Sequence, residues 1–389
     1  MTAQGSGVYR RQEVAAWAHS GIVPLTGHPE GPPLIPPGSG ALRAEQLASV
    51  FAAHTGVTVD GARLLSERAA YTGRSRGGPV SVGGSCRLLP TADGWAAVSC
   101  ARPDDPALLA ALAFAGDGER PEAAVARWLA AHDGAALAER AELLGVAAGP
   151  VTRPRSPRVP VPGLPRSVRG LHIVDFSALW AGPLCAHLLG LAGARVTKVE
   201  TPGRPDGARR GHRDFFELLH LGHRSVVTDP DTPEGRNKLA SLVASADVVI
   251  EASRPRALAR FGLDAESFVS AGGTWISITS HGREHNRVGF GDDVAASAGL
   301  VARDGEGQPV FCGDALADPL TGLTAAVLAT TLPDPGRGVL WDVSMTDVVA
   351  ATLPAEGAGQ APAARPGADG WLLDTPDGPL PVAVPERRR

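Results

Sequence analysis

The 389-residue sequence has few cysteines, few aromatic residues and no strong excess of either charge. Its four cysteines form no CxxC pair and no His/Cys cluster at zinc spacing. The sequence therefore predicts neither a disulfide framework nor a structural metal. A formal charge of −4 offers no general basic face, so nucleic acid is not an expected partner.

Long hydrophobic segments are also missing. The N-terminal stretch "MTAQGSGVYRRQEVAAW" has no hydrophobic signal core, and no run approaches the roughly 18 apolar residues of a membrane span. We therefore expect a cytoplasmic protein without a membrane partner. With 43% apolar and 20% charged residues, the composition fits a soluble globular enzyme rather than a disordered or fibrous chain.

Several common catalytic motifs are absent. The turn after the first strand of the second half reads "SALWAGP" rather than GxGxxG, which argues against an ordinary NAD-binding domain. GxxxxGK[ST], GxSxG and HExxH do not occur, so the P-loop, hydrolase and zinc-protease classes are not indicated.

The chain divides at a stretch rich in proline and arginine, residues 151–167. Prolines this close together prevent both helix and central strand, so we interpret this stretch as a linker. We expect an α+β segment over 1–150, a Rossmann-like domain over 168–350 and a C-terminal return with a truncated hairpin over 351–389.

The first part alternates helical patterns with one hairpin. "AEQLASVFAAHTG", "PALLAALAFAG" and "PEAAVARWLAAHDG" are helical, and each is followed by a glycine that we expect as a C-terminal cap. Asp93-Gly94 lies between two strand-like runs and predicts a hairpin.

After the linker, strands and helices alternate. "LHIVDF", "ARVTKVE", "DVVIEA", "TWISITS" and "VLWDVSM" are strand-like and are separated by helical segments. One of those helices, in "DTPEGRNKLASLVASA", has Asp231 as its expected N-cap. The pattern predicts an α/β fold: a Rossmann-like parallel sheet with flanking helices plus a smaller α+β domain, with ligands beyond the carboxyl ends of the strands.

Several spaced motifs carry a resemblance. "LHIVDFSALWAGPLCAHLLGLAGARVTKVETPGRPDGARR", "FFELLHLGHRSVVTD", "ADVVIEASRPRAL" and "GLDAESF" are similar to the family III CoA-transferases, the CaiB/BaiF-type group that includes formyl-CoA transferase, carnitine CoA-transferase and α-methylacyl-CoA racemase. The similarity extends over about residues 168–350. It implies coenzyme A as a substrate rather than a tightly bound cofactor, acyl-CoA and carboxylic acids as small-molecule partners, and a homodimer with interlocked chains.

The resemblance implies that Asp318 is the nucleophile. Asp318 lies four residues before Gly322 in "ADPLTG", as the family's aspartate lies before its glycine. It would attack an acyl-CoA thioester, hold the acyl group as a mixed anhydride and pass CoA to an incoming carboxylate. Backbone N–H groups around Gly313 are candidates for stabilising the oxyanion. The alternative is that Asp318 only caps the following helix, and Asp314 is a nearby loop carboxylate.

The resemblance also implies a set of CoA-binding residues. Arginines suit phosphate because their planar N–H groups bind it in pairs. His223 stands where the family segment usually has lysine. The candidates are Ala178, Leu179, Trp180, Arg209, His223, Arg224, Arg254 and Arg256.

The order of segments departs from the family. Segments resembling the family's small domain, "PTADGWAAVSC" and "ELLGVAAGPV", precede the first strand, and "GADGWLLDTPDG" resembles a second hairpin near the C-terminus. Two alternatives to transfer stay open: proton transfer in an acyl-CoA racemase or lyase on the same fold, and a non-catalytic CoA-binding subunit.

Overall fold

In the computed structural model, the described residues are 10–153, 156–253, 256–333, 337–354 and 361–388. The helices of this part of the chain are α1 (Arg11–His19), α2 (Gly40–Thr55), α3 (Gly61–Leu64), α4 (Glu67–Thr72), α5 (Asp105–Leu112), α6 (Pro121–Ala131), α7 (Gly134–Leu144), α8 (Ala181–Leu191), α9 (Arg213–Leu219), α10 (Pro233–Ala244), α11 (Arg256–Ala259), α12 (Ala265–Ser270), α13 (Gly291–Ser297), α14 (Ala317–Ala329) and α15 (Met345–Ala350). The strands are β1 (Cys86–Pro90), β2 (Trp95–Ser99), β3 (Ala148–Pro150), β4 (His172–Asp175), β5 (Arg195–Glu200), β6 (Arg224–Val227), β7 (Val248–Glu251), β8 (Thr274–Thr279), β9 (Val301–Arg303), β10 (Pro309–Phe311), β11 (Val339–Ser344), β12 (Ala364–Gly367), β13 (Gly370–Thr375) and β14 (Gly378–Pro381).

The central sheet has six strands in the order β6-β5-β4-β7-β8-β11, and every neighbouring pair is parallel. In chain order this is the 3-2-1-4-5-6 arrangement of a doubly wound sheet, in which the connections change direction between β4 and β7. The predicted parallel sheet with flanking helices is confirmed. Ligands of such sheets bind outside the carboxyl ends of the strands at this switch point.

The inner strands are buried because helices cover both faces of the sheet. All four residues of β7 and all six of β8 are buried. Strands of parallel sheets that are buried on both faces have nearly continuous hydrophobic sequences, as β7 does. The helix after β6 corrects one prediction. Its N-cap is Thr232, whose hydroxyl accepts a hydrogen bond from the Gly235 N–H at 3.0 Å, and not Asp231.

The first part of the chain contains an antiparallel sheet, β1-β2-β3, which includes the predicted hairpin. Gly56 closes α2 in a left-handed conformation, as predicted. The other two glycine caps were wrong. The C-cap of α5 is Ala113 and that of α6 is His132, and Gly134 instead begins α7 because Asp133 caps that helix.

One hydrophobic core joins the first part of the chain to the central sheet. It contains Trp17 and Phe51 from the N-terminal helices together with Trp180, Ile173 and Ile276 from the sheet and its connections, all nearly inaccessible to solvent. Burial on this scale ties the two parts together through packing. None of the described helices is both long and apolar enough to cross a membrane.

The C-terminal residues return to the N-terminal helices. β12, β13 and β14 form a three-stranded antiparallel sheet. Beyond it, the Arg388 guanidinium donates hydrogen bonds to both carboxylate oxygens of Glu67. The distance between Nη2 and Oε2 is 2.8 Å. Glu67 is 1% exposed, so this ion pair fixes the tail against α4.

Candidate active site

Asp318 lies in the first turn of α14 and is 9% exposed. The N-cap of the helix is Leu316, and Asp318 is the second helical residue. The interpretation of Asp318 as only an N-cap is therefore wrong, because its side chain does not close its own helix. The carboxylate instead accepts a hydrogen bond from the backbone N–H of Ala181, the first residue of α8.

Two glycines make this placement sterically possible. A Cβ atom at Gly322 would lie 2.6 Å from the Ala181 carbonyl oxygen, so α14 crosses the start of α8 at a distance that only glycine permits. A Cβ atom at Gly291 would lie 2.1 Å from Asp318 Oδ2 and 2.6 Å from the Ala315 Cβ. The carboxylate is thus held between the first turns of α8 and α13.

The surroundings of Asp318 act on its pKa in opposite directions. Burial raises the pKa of its carboxyl group to about 7, while the Arg68 charge and the Ala181 N–H lower it and the Asp292 charge raises it further. A carboxyl group with a pKa near neutrality is partly ionised at physiological pH. Desolvation keeps it reactive, and the positive end of α8 favours its charged form.

A buried ion pair lies beside the nucleophile candidate. The Arg68 Nε donates to Asp314 Oδ2 at 2.8 Å, and its Nη2 donates to Asp314 Oδ1. Asp314 is fully buried, whereas 27% of the Arg68 side chain is exposed. The guanidinium lies over the Trp180 ring, with Cζ 5.2 Å from the ring centroid. Arg68 also acts electrostatically on Asp292 and Asp318, so it is a cation facing three carboxyl groups.

Asp292 completes this acidic cluster. Its Oδ1 accepts a hydrogen bond from the Ala315 N–H at 2.8 Å, and it is 8% exposed. Burial, together with the Asp314 charge, raises its pKa to about 6. Ala315 has a φ of 51°, a left-handed conformation that is strained for a residue with a Cβ. The turn that presents Asp318 is therefore held in place by its neighbours.

The loop after β4 is anchored in a similar way. Leu179 has a φ of 70°, and its N–H donates to Asp206 Oδ1 at 2.9 Å. The buried Lys198 ammonium lies 3.0 Å from Asp206 Oδ2 and donates to the Ser177 carbonyl. This network fixes the backbone immediately before the Ala181 N–H that binds Asp318.

The predicted CoA-binding residues of this loop occupy different environments. Ala178 is exposed and Leu179 is 40% exposed, at the carboxyl end of β4 where ligands of this fold bind. Trp180 is 1% exposed and packs in the core under Arg68. Within this loop, Ala178 and Leu179 are accessible to a ligand.

Three of the basic candidates lie at opposite ends of neighbouring strands, with Arg209 after β5 and with His223 and Arg224 at the start of β6. Arg209 is ion-paired with Glu200, with an Nη2–Oε2 distance of 2.6 Å, and its guanidinium lies over Phe216. Arg224 is exposed at the first residue of β6, at the amino end of that strand. His223 is largely buried, and burial lowers its pKa to about 4, so it does not replace a charged lysine at neutral pH.

The remaining two arginines follow β7. Arg254 lies outside the described residues, and Arg256 is the first residue of α11. The end of β7 borders the switch point of the sheet, where ligands of this fold bind. The Gly313 N–H is not free for an oxyanion, because it donates to the Thr26 hydroxyl at 3.1 Å.

Sequence reasoning missed three residues of this site: Arg68, Gly291 and Asp292. Arg68 lies 246 positions before Asp314, so no local spacing connects them. The "GFGDDV" stretch did contain a signal, because two adjacent aspartates beside glycine at a helix start are unusual in a segment that is otherwise apolar. Asp314, interpreted as a loop carboxylate, is instead a buried member of the site.

Comparison with known proteins shows the family of this chain. The model of CoA-transferase family III matches residues 168–369, more than half of the chain. This chain belongs to CoA-transferase family III, and the predicted family is confirmed. A succinate–glutarate CoA-transferase of Agrobacterium fabrum is 32% identical over 47% of this chain and 52% of its own length. A succinyl-CoA–D-citramalate CoA-transferase of Chloroflexus aurantiacus is 30% identical over 49% of this chain and 52% of its own length.

The chain spans about half the length of these curated relatives. Among solved structures, a CaiB/BaiF family protein of Brucella suis matches with a TM-score of 0.48 and 25% identity, covering 54% of this chain and 66% of that one. A hypothetical protein of Mycobacterium tuberculosis matches with a TM-score of 0.46 and 28% identity, covering 56% and 66%.

Proposed function

We propose that this chain transfers CoA between carboxylic acids through covalent intermediates on Asp318. An Asp318 oxygen attacks the thioester carbonyl, the C–S bond breaks, and CoA leaves as thiolate from a mixed acyl–aspartyl anhydride. The thiolate then attacks the aspartyl carbonyl, which releases the donor acid and leaves a thioester on Asp318. An acceptor carboxylate reverses these two steps, giving a new acyl-CoA and the free aspartate.

The observation that carries the proposal is the environment of Asp318. The carboxylate is almost fully buried, its pKa is about 7, and it accepts a hydrogen bond at the start of an 11-residue helix. A solvated carboxylate is a weak nucleophile, whereas a desolvated one beside a helix N-terminus is more reactive and still ionised. Family membership supplies the matching chemistry, acyl-CoA and a carboxylic acid as substrates.

The sheet supports a location for CoA. The switch point lies between β4 and β7, and the accessible Ala178 and Leu179 follow β4. We propose that the nucleotide binds outside these strand ends, with Arg209 and the arginines after β7 near its phosphates. Arg224 lies at the amino end of β6, so its contribution requires a long reach or a partner chain. The homodimer implied by the resemblance stays a prediction.

The test replaces Asp318 with asparagine, which keeps the shape but removes the nucleophile. Purified wild-type protein and the D318N variant are assayed with succinyl-CoA, glutaryl-CoA and formyl-CoA as donors and with the corresponding acids as acceptors. Transfer should be lost in D318N and kept in D117N, a control at an exposed loop aspartate. Equal transfer by D318N and wild type would refute the proposal.

Proton transfer is the second candidate, and Asp292 favours it. Burial raises the carboxyl pKa of Asp292 to about 6 and that of Asp318 to about 7, and two neighbouring carboxyl groups with raised pKa values suit acid–base catalysis near neutral pH. Deuterium incorporation at the α-carbon of the acyl-CoA without CoA exchange would identify this reaction. A non-catalytic CoA-binding subunit predicts neither reaction and an unchanged CoA affinity in D318N.

A further inference from the structure

The first part of the chain, outside the segment that matches the family model, supplies a charged side chain to the Asp318 site. Arg68 belongs to α4, whereas the family match begins at residue 168. Its guanidinium is stacked on Trp180, and the next residue, Ala181, binds the Asp318 carboxylate. The guanidinium therefore contacts the residue that directly precedes Ala181, whose N–H binds the Asp318 carboxylate.

The hydrogen bonds of Arg68 leave one edge of the guanidinium free. Nε and Nη2 both bind Asp314, which fixes the plane of the group. Within the part of the chain that the structure describes, Nη1 makes no hydrogen bond and is not sealed from solvent. A fixed guanidinium with a free N–H edge beside a reactive centre is suited to bind a carboxylate.

The charge balance favours such a group. Asp292 and Asp314 both act on Arg68 beside Asp318, so a carboxylate that approaches the thioester on Asp318 would otherwise meet two acidic side chains. A nearby negative charge opposes the binding of a carboxylate unless a cation compensates the repulsion.

We propose that the Nη1 edge of Arg68 binds the carboxylate of the acyl acceptor and directs it toward the CoA thioester on Asp318. The proposal rests on the proposed function. It assigns acceptor binding to the N-terminal segment and donor binding to the Rossmann-like segment. Asp314 is then a positioning residue, since it orients the guanidinium without meeting the substrate.

The experiment compares a charged acceptor with a neutral one. Wild-type protein and the R68Q, R68K and R87Q variants are acylated with succinyl-CoA, and transfer to glutarate is measured beside cleavage by neutral hydroxylamine. R87Q is the matched control, since Arg87 is an exposed arginine on β1. R68Q should lower kcat/KM for glutarate by about 10- to 100-fold, mainly through KM, because a hydrogen bond to a charged group is worth roughly this factor.

Hydroxylamine cleavage should change little in R68Q, because this nucleophile carries no charge. R68K should recover part of the loss and R87Q should match wild type. Because R68Q leaves Asp314 buried without a partner, the R68Q/D314N double variant repeats the comparison without an uncompensated charge. Equal loss with both acceptors, or no loss with glutarate, would overturn the proposal while acylation itself persists. Failure of wild type to acylate Asp318 would instead remove the proposed function, and this inference with it.

Discussion

Gly291→Ala tests the packing that positions the nucleophile. The new Cβ would lie 2.1 Å from Asp318 Oδ2 and 2.7 Å from the Ala315 carbonyl oxygen. Ordinary contacts are about 3.5–4.0 Å, so the carboxylate or the turn before α14 must move by more than about 1 Å. A misplacement of this size costs about 100-fold in rate when the reacting groups must be aligned.

The substitution should affect reaction more than folding. Overpacking costs about 1–3 kcal/mol, and alanine returns up to about 1 kcal/mol through its helix propensity at the start of α13. The assay is the single-turnover rate of succinyl-CoA consumption, with the melting temperature measured in parallel. Gly305→Ala is the matched control, since nothing lies within 4 Å of its added Cβ. If G291A consumed succinyl-CoA at the wild-type rate, the argument that this glycine makes room for the carboxylate would be refuted.

Three further predictions concern charge. Acylation should rise with pH to a plateau above about 7 and fall about tenfold per unit below it, because only ionised Asp318 attacks; a flat rate between pH 5 and 8 would contradict this. Burial raises the pKa of Asp293 to about 7, so its ionisation lowers stability as the pH rises from about 4 to about 7. Asp293→Asn should therefore raise the melting temperature more at pH 8.5 than at pH 5, by about 2–4 °C for each kcal/mol relieved, and an equal gain at both pH values would exclude this cause. Arg388→Ala should destabilise by about 3 kcal/mol because it leaves Glu67 buried without its partner; the E67Q/R388A double variant should recover part of that loss in urea unfolding.

The sequence predicts five of the six strands of the central sheet, because each of the five is a short apolar run between glycines, prolines and polar residues. The sixth, β6, was missed because most of its residues are exposed and it has no apolar run. "TWISITS" and "VLWDVSM" become β8 and β11, which pair along their full length. Helix ends are less predictable, since a cap depends on the local backbone. Thr232 rather than its neighbour Asp231 closes α10 because its hydroxyl reaches the Gly235 N–H.

The site was only partly predictable, because some of its residues meet only when the chain has folded. Asp318 stands out through a local spacing to Gly322, and the family resemblance gives that spacing a chemical meaning. Arg68 has no such spacing, because its position beside Asp314 results from the packing of the N-terminal helices on the sheet. The environment that sets the pKa of Asp318 is therefore visible only in three dimensions.

The most direct test of the account is to trap the covalent intermediate. Wild-type protein is incubated with succinyl-CoA and hydroxylamine, digested, and examined by mass spectrometry for a hydroxamate on the peptide that contains Asp318. The account predicts modification at Asp318, dependent on the acyl-CoA and absent from D318N. CoA transfer with modification at another residue, or with no modified peptide, would contradict it.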